Sequence, residues 1–126
     1  RRITDCFIKD MINAAKNNTK ISLPFNQELQ WPYIYVDDAV SSIISSLLHN
    51  KIHNYCYNVS GPDFPLYSQI AKEINYHFKN FKPSFSNSNS FPKRELFSIQ
   101  KMKKDIGWEP SFNIKRGIRD FLRNLD

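Results

Sequence analysis

Pro32-Tyr33-Ile34-Tyr35-Val36-Asp37-Asp38-Ala39-Val40 decides how this chain is read. Aromatic and β-branched residues dominate as far as Val36, which predicts an extended strand over residues 31–36. Two carboxylates then stand directly ahead of Ala39-Val40-Ser41-Ser42-Ile43-Ile44-Ser45-Ser46-Leu47-Leu48. A carboxylate at that place accepts the free N–H groups of a first helical turn and opposes the positive end of its dipole. A helix is expected to begin there, with Asp37 and Asp38 as structural groups rather than catalytic acids.

Towards the N-terminus, Ile3, Phe7, Met11 and Ala14 recur at helical spacing as far as Lys16, and Asn17-Asn18 ends the pattern. Residues 20–23 form a short alternating run stopped by Pro24, so with residues 31–36 two strands or a hairpin-like pair are expected. Towards the C-terminus, Tyr55-Cys56-Tyr57-Asn58-Val59 reads as a buried strand closed by the turn chemistry of Ser60-Gly61-Pro62-Asp63. Pro65 suits a helix start, and Leu66, Ile70, Ile74 and Phe78 make the next apolar stripe. Residues 80–90, rich in Ser, Asn and isolated Phe, predict an irregular connection or a short edge strand. Ser98 can cap a short helix through Ile106 with Gly107 at its end, and Asn113 can cap a last helix carrying Ile114, Ile118, Phe121, Leu122 and Leu125. The expected order is α-β-β-α-β-α-loop-α-α.

With 126 residues, 40 % of them apolar, and ten Phe, six Tyr and two Trp, the chain has material for one modest core, which excludes global disorder. Its longest apolar run falls far short of the roughly 20 residues that cross a bilayer, and no signal-peptide pattern opens it. A cytoplasmic location without a membrane partner is the expectation. Cys6 and Cys56 lack CxxC spacing and any His/Cys cluster, so they read as reduced structural thiols and no metal is expected. The net charge of +6 would suit an anionic partner, nucleic acid or sugar nucleotide, although solvated helix faces account for the same lysines.

Three signatures stand in order: the opening block, Asn58-Val59-Ser60-Gly61, and Ile106-Gly107-Trp108-Glu109-Pro110. Together they resemble the C-terminal, substrate-binding part of the extended short-chain dehydrogenase/reductases, the NAD-dependent epimerase/dehydratase family that remodels nucleotide-linked sugars. The resemblance runs over nearly the whole chain. It implies an α/β fold: the partial, C-terminal substrate-binding region of a Rossmann-type enzyme, with a few short strands and about five helices. Residues 1–126 would form that single region, the N-terminal Rossmann domain being absent. In such relatives this part positions a nucleotide-sugar against the nicotinamide of NAD(P), in pathways such as polysaccharide biosynthesis. By the same resemblance Ser22 and Leu23 would offer backbone groups near the nucleotide base, with plain edge-strand packing as the alternative. Many relatives carry an Arg just before the aromatic strand to grip the diphosphate; here Trp31 stands there, after Gln30. An indole stacks on a base or sugar but cannot neutralise phosphate, so Lys93 and Arg94, beside Pro92, are the candidates to compensate unless they are merely a solvated loop. Another departure is Leu66, where relatives place a Ser/Thr helix cap.

The chemistry of that family needs a Gly-rich turn for the cofactor pyrophosphate and a Tyr-x-x-x-Lys pair for proton transfer. The three glycines, Gly61, Gly107 and Gly117, cannot form the turn, and no Tyr is followed by Lys four residues on. His49, His53 and His77 stand beside no recognisable nucleophile. Hence no catalytic residue and no cofactor are assigned to this segment, NAD(P) being implied only for a full-length relative. A small basic nucleic-acid-binding module is the rival from another class, though no RNP, helix-turn-helix or finger signature supports it. A fragment that docks on a full-length homologue, or on a second copy, is a third possibility. Unpaired strand edges and an uncovered apolar face are expected to favour self-association.

Overall fold

A computed structural model describes residues 6–50, 56–88 and 91–125. Its elements in chain order are α1 (Phe7–Lys16), β1 (Ser22–Leu23), α2 (Val36–Leu48), α3 (Tyr67–His77), β2 (Ser84–Phe85), α4 (Gln100–Ile106) and α5 (Ile114–Arg123). This is a small α/β fold of five helices and a two-stranded sheet among the described residues. The chain divides into two compact units, residues 1–30 with 65–93 and residues 31–64 with 94–126.

In the first unit α1 packs on α3, and Met11, Ile12, Leu23, Phe25, Ile70 and Ile74 are fully buried. Phe25 is the hub: its ring lies 4.3 Å from Tyr67, 4.9 Å from Phe7 and 5.2 Å from Phe91, mostly tilted or edge-on. Such geometry sets positive ring edges against negative faces. Leu66 can stand at the start of α3 because the preceding loop does the work of a capping side chain. The free N–H groups of Tyr67 and Ser68 donate to the carbonyls of Leu29 and Gln27, each at 3.0 Å. Gln69 Oε1 meanwhile accepts the Leu66 N–H at 2.9 Å.

The hairpin-like pair expected from residues 20–23 and 31–36 does not form. β1 instead runs parallel to β2, Ser22 opposite Ser84 and Leu23 opposite Phe85. Parallel pairing needs a crossover connection, and the intervening chain, α3 included, supplies it. Residues 31–35 stay irregular: Gln30 makes a single antiparallel bridge to Leu66, and the helix has already begun at Val36. Residues 80–90, expected to be irregular or a short edge strand, contain β2, with residues 89–90 outside the described part. Of the helix expected from Ile3 to Lys16, the first positions, residues 3–5, lie outside it too, and α1 starts at Phe7.

The second unit is held by side chains reaching between segments. Asp37 and Asp38 fall inside the first turn of α2 rather than ahead of the helix. Asp38, 2 % exposed, turns its carboxylate away from its own helix. One oxygen accepts the Ser111 N–H at 2.9 Å and the Ser111 hydroxyl at 3.1 Å; the other accepts the Phe112 N–H at 2.9 Å. Asn113 caps α5 as expected, accepting from the Arg116 N–H at 2.9 Å, and Asp63 Oδ2 takes the Ile114 N–H at 3.0 Å. Gly107 ends α4 at φ 76°, its N–H donating to the Lys103 carbonyl at 3.0 Å. Trp108 is buried and donates through Nε1 to Ser41 Oγ at 2.9 Å, which fits the expected packing wedge. The buried strand expected at residues 55–59 is not seen: Tyr55 lies outside the described residues, and residues 56–59 are irregular with Cys56 and Asn58 exposed. No other strand in the described part of this unit is available to pair with it.

Two substitutions test these contacts. Asp38→Ala leaves buried donors unsatisfied and is expected to lower unfolding free energy by about 2–3 kcal/mol in urea titrations. Gly61 donates its N–H to the Tyr33 carbonyl at 2.7 Å, and a Cβ there would sit 2.4 Å from that oxygen. Gly61→Ala is therefore expected to cost about 2 kcal/mol or more through forced backbone movement.

Candidate functional site

Trp31 and Arg94, distant in sequence, meet in the second unit. The Arg94 guanidinium lies over the Trp31 indole, 4.8 Å from the ring centroid. Trp31 is half-buried and Arg94 exposed. An exposed cation–π contact of this kind contributes about 0.5–1 kcal/mol, enough to orient the flat guanidinium without consuming its hydrogen-bond donors. Among the described residues Arg94 makes no ion pair. The pair is thus a flat, cationic platform whose fork remains open to an anion.

The other expected positions lie in the first unit. Leu23 is in the core, and its carbonyl accepts from the Ser86 N–H at 3.0 Å, so neither its side chain nor that oxygen is free. The Ile21 carbonyl likewise accepts from Ser84 at 3.0 Å. Because backbone groups alternate sides along a strand, those of Ser22 point away from β2, on the open edge of β1. Ser22 is exposed, and so is Lys93.

A second aromatic cluster in the second unit escaped sequence reasoning. Tyr35 stacks on Phe112 with centroids 4.4 Å apart, and the Arg116 guanidinium covers Phe112 at 4.0 Å. Tyr35 donates its hydroxyl to Asp120 Oδ2 at 2.6 Å. Gly117 lets α5 come this close, since a Cβ there would sit 3.0 Å from the Tyr35 ring. Burial first, then the hydrogen bond to Asp120 and the charges of Asp120 and Asp37, push the Tyr35 phenol up to about 12. A phenol so held stays protonated and serves as a brace, not as a proton-transfer group near neutral pH. Local sequence carries no signal for it, because Tyr35 and Asp120 stand 85 positions apart.

The residues present do not fit a dinucleotide cofactor. A pyrophosphate cradle needs glycines whose missing Cβ opens space for phosphate. Here Gly61 makes room for the Tyr33 carbonyl, Gly117 for the Tyr35 ring, and Gly107 supplies a left-handed helix end. Among the described residues no three His, Cys, Asp or Glu gather as a metal site, and no helix is long and apolar enough to cross a membrane.

No family model matches the chain, and no curated protein matches it in sequence. Solved structures do match in fold. ADP-L-glycero-D-manno-heptose-6-epimerase of Helicobacter pylori superposes with a TM-score of 0.83 at 20 % identity, over 97 % of this chain and 38 % of that one. UDP-glucuronic acid 4-epimerase of Bacillus cereus, solved with UDP-glucuronic acid and NAD, gives 0.84 at 16 % identity, over 97 % and 41 %. An L-threonine dehydrogenase of Cupriavidus necator gives 0.80 at 21 % identity, over 93 % and 44 %. The chain shares its fold with parts of these proteins and spans about two fifths of their length.

The raised Tyr35 pKa has a definite pH consequence. Between the ordinary phenol value near 10 and the folded value of about 12, the unfolded chain loses a proton that the folded chain keeps. Stability from this group is complete below pH 10 and is lost as pH rises to 12. With solvent screening the loss is expected to be about 1 kcal/mol, and Tyr35→Phe should abolish it. Urea titrations of both proteins at pH 9 and pH 11.5 measure the difference.

Proposed function

We propose that this chain is the substrate-binding portion of an NAD(P)-dependent nucleotide-sugar epimerase, dehydratase or reductase, working in the cytoplasm. It holds the substrate and carries no bond-making residue of its own. The observation that supports this is the Arg94 guanidinium seated on the Trp31 indole. Trp31 stands where the resemblance places a phosphate-gripping Arg, and the fold returns a guanidinium to that same spot from a distant segment. The positive charge missing at position 31 is therefore supplied by Arg94, and the indole adds a surface on which a base or sugar ring can stack. A nucleoside diphosphate carries both a flat ring and an anion, which is what such a platform recognises. L-Threonine dehydrogenase shares the fold, so it is this platform, not the fold, that argues for a nucleotide-sugar.

The two tryptophans make the test direct, because Trp108 is buried and Trp31 is only half-buried. UDP-glucose is expected to quench intrinsic fluorescence in the full chain, and the quench should vanish in Trp31→Phe while Trp108 emission remains. Arg94→Ala is expected to weaken binding about 5- to 50-fold, with Arg94→Lys recovering only part of it. Nicotinamide reduction on mixing the chain with NAD and UDP-glucose would refute the non-catalytic part, and binding that ignores both substitutions would refute the site.

A further inference from the structure

The outer face of α5 is cationic from end to end. Lys115, Arg116, Arg119 and Arg123 are all exposed, while Gly117 and Ile118 are buried on the opposite side. At about 100° per residue the four cations fall within an arc of about 100°, and Lys115, Arg119 and Arg123 form a row over about 12 Å of the axis. Arg116 is held over Phe112 and by the Ser111 carbonyl at 2.9 Å. Among the described residues none of the four makes an ion pair. Asp120, at the edge of the arc, takes the Tyr35 hydroxyl, and Asp63 takes the Ile114 N–H at the helix start.

This arrangement works against the helix itself. Lys115 repels Arg119, and Arg119 repels Arg123, across one turn. Lys115 and Arg116 also stand in a first turn with no acidic residue, against the positive end of the dipole. The rest of the second unit shows the same division of charge. Asp38 turns to the backbone of Ser111 and Phe112, Asp105 receives the Tyr57 hydroxyl at 3.2 Å, and Glu109 is neutralised by Lys103 at 2.7 Å. Asp37 and Glu95 are its exposed carboxylates outside these contacts. A helix whose charges oppose its own stability, in a unit whose acids mostly face inward, projects a positive field into the solvent.

That field reaches the Trp31–Arg94 platform, which belongs to the same compact unit. A body of about 70 residues has a radius of gyration of about 11 Å, so the platform lies within about 30 Å of every charge on α5. The screening length is about 30 Å at 0.01 M salt and about 8 Å at 0.15 M. No aromatic ring is open beside these cations for a nucleic-acid base, because Phe112 is covered by Tyr35 and Arg116. We propose that the outer face of α5 draws an anionic nucleoside diphosphate towards the platform, raising its rate of capture without holding the bound ligand. The inference rests on the proposed function, since the platform is where the ligand arrives. Charges that act on the approaching anion change association and its salt dependence and leave dissociation alone.

Stopped-flow mixing of UDP-glucose with the full 126-residue chain, followed by Trp31 quenching, reads both rates. Lys115→Gln/Arg119→Gln/Arg123→Gln is expected to slow association about fivefold at about 0.01 M salt, with dissociation unchanged and the difference gone at about 1 M. Glutamine keeps the helix, which circular dichroism should show. The charge-keeping Lys115→Arg/Arg119→Lys/Arg123→Lys should associate as fast as the unaltered chain. A second measurement needs no nucleotide: quenching of Trp31 by iodide, an anion, should fall in the glutamine variant at low salt while quenching by neutral acrylamide stays the same. Trp108 is buried and adds little to either. Lys16→Gln/Lys72→Gln/Lys79→Gln removes the same charge from the first unit and should change both readouts less. Iodide quenching indifferent to the α5 charges overturns the proposal. So does a slowed association that the charge-keeping variant shares or the first-unit variant equals. Faster dissociation with association unchanged overturns it too, because α5 is then a contact surface. Iodide reports the field even where UDP-glucose does not bind, so the proposed function can fail while this inference stands.

Discussion

Much of the second unit is tied together by the buried carboxylate of Asp38. Asp38 is buried with each oxygen accepting from the 111–112 backbone, so the first turn of α2 and the approach to α5 are tied at one point. Charge-assisted bonds to backbone N–H groups make up for taking the carboxylate out of water. Once residues 111 and 112 are held there, Phe112 lies under Tyr35, Arg116 closes over Phe112, and Asp120 receives the Tyr35 hydroxyl. The neighbouring Trp108 reaches Ser41, one turn further along α2. These polar groups are thus engaged in holding the unit together.

That engagement bears on what the protein can do. Asp38, Asp63 and Asp120 brace and cap, Tyr35 is held protonated, and each of the glycines is spoken for by a close contact or a helix end. The groups left facing water differ in kind: a guanidinium resting on an indole, and a helix face of bare aliphatic side chains. The first is the platform proposed above for a flat anion.

Much of the architecture was legible in the residues, and the failures have physical causes. Helices came through because apolar spacing and end signals are local: Asn113 caps α5 and Gly107 closes α4 as their types dictate. Strands did not, because a strand is defined by its partner. Residues 31–35 and 56–59 have strand-forming composition but make no strand ladder among the described residues, while Ser22-Leu23 found Ser84-Phe85 across a long crossover. The Leu66 departure was visible, but not that the Leu29 and Gln27 carbonyls would cap α3 in its stead. At the site, Trp31 and Arg94 were each picked out, and nothing in the chain declared that they touch.

The amino-acid order by itself settled the helical stripes, the turn glycines, the lack of a cofactor cradle and of a Tyr-x-x-x-Lys pair, since each depends on residues within a turn or two of one another. Only the tertiary structure decided which strands pair, where the Asp38 carboxylate points, that Arg94 sits on Trp31, and that the apolar arc of α2 faces outward. Those outcomes depend on groups far apart along the chain, whose meeting is determined by how all the segments pack at once rather than by any local preference.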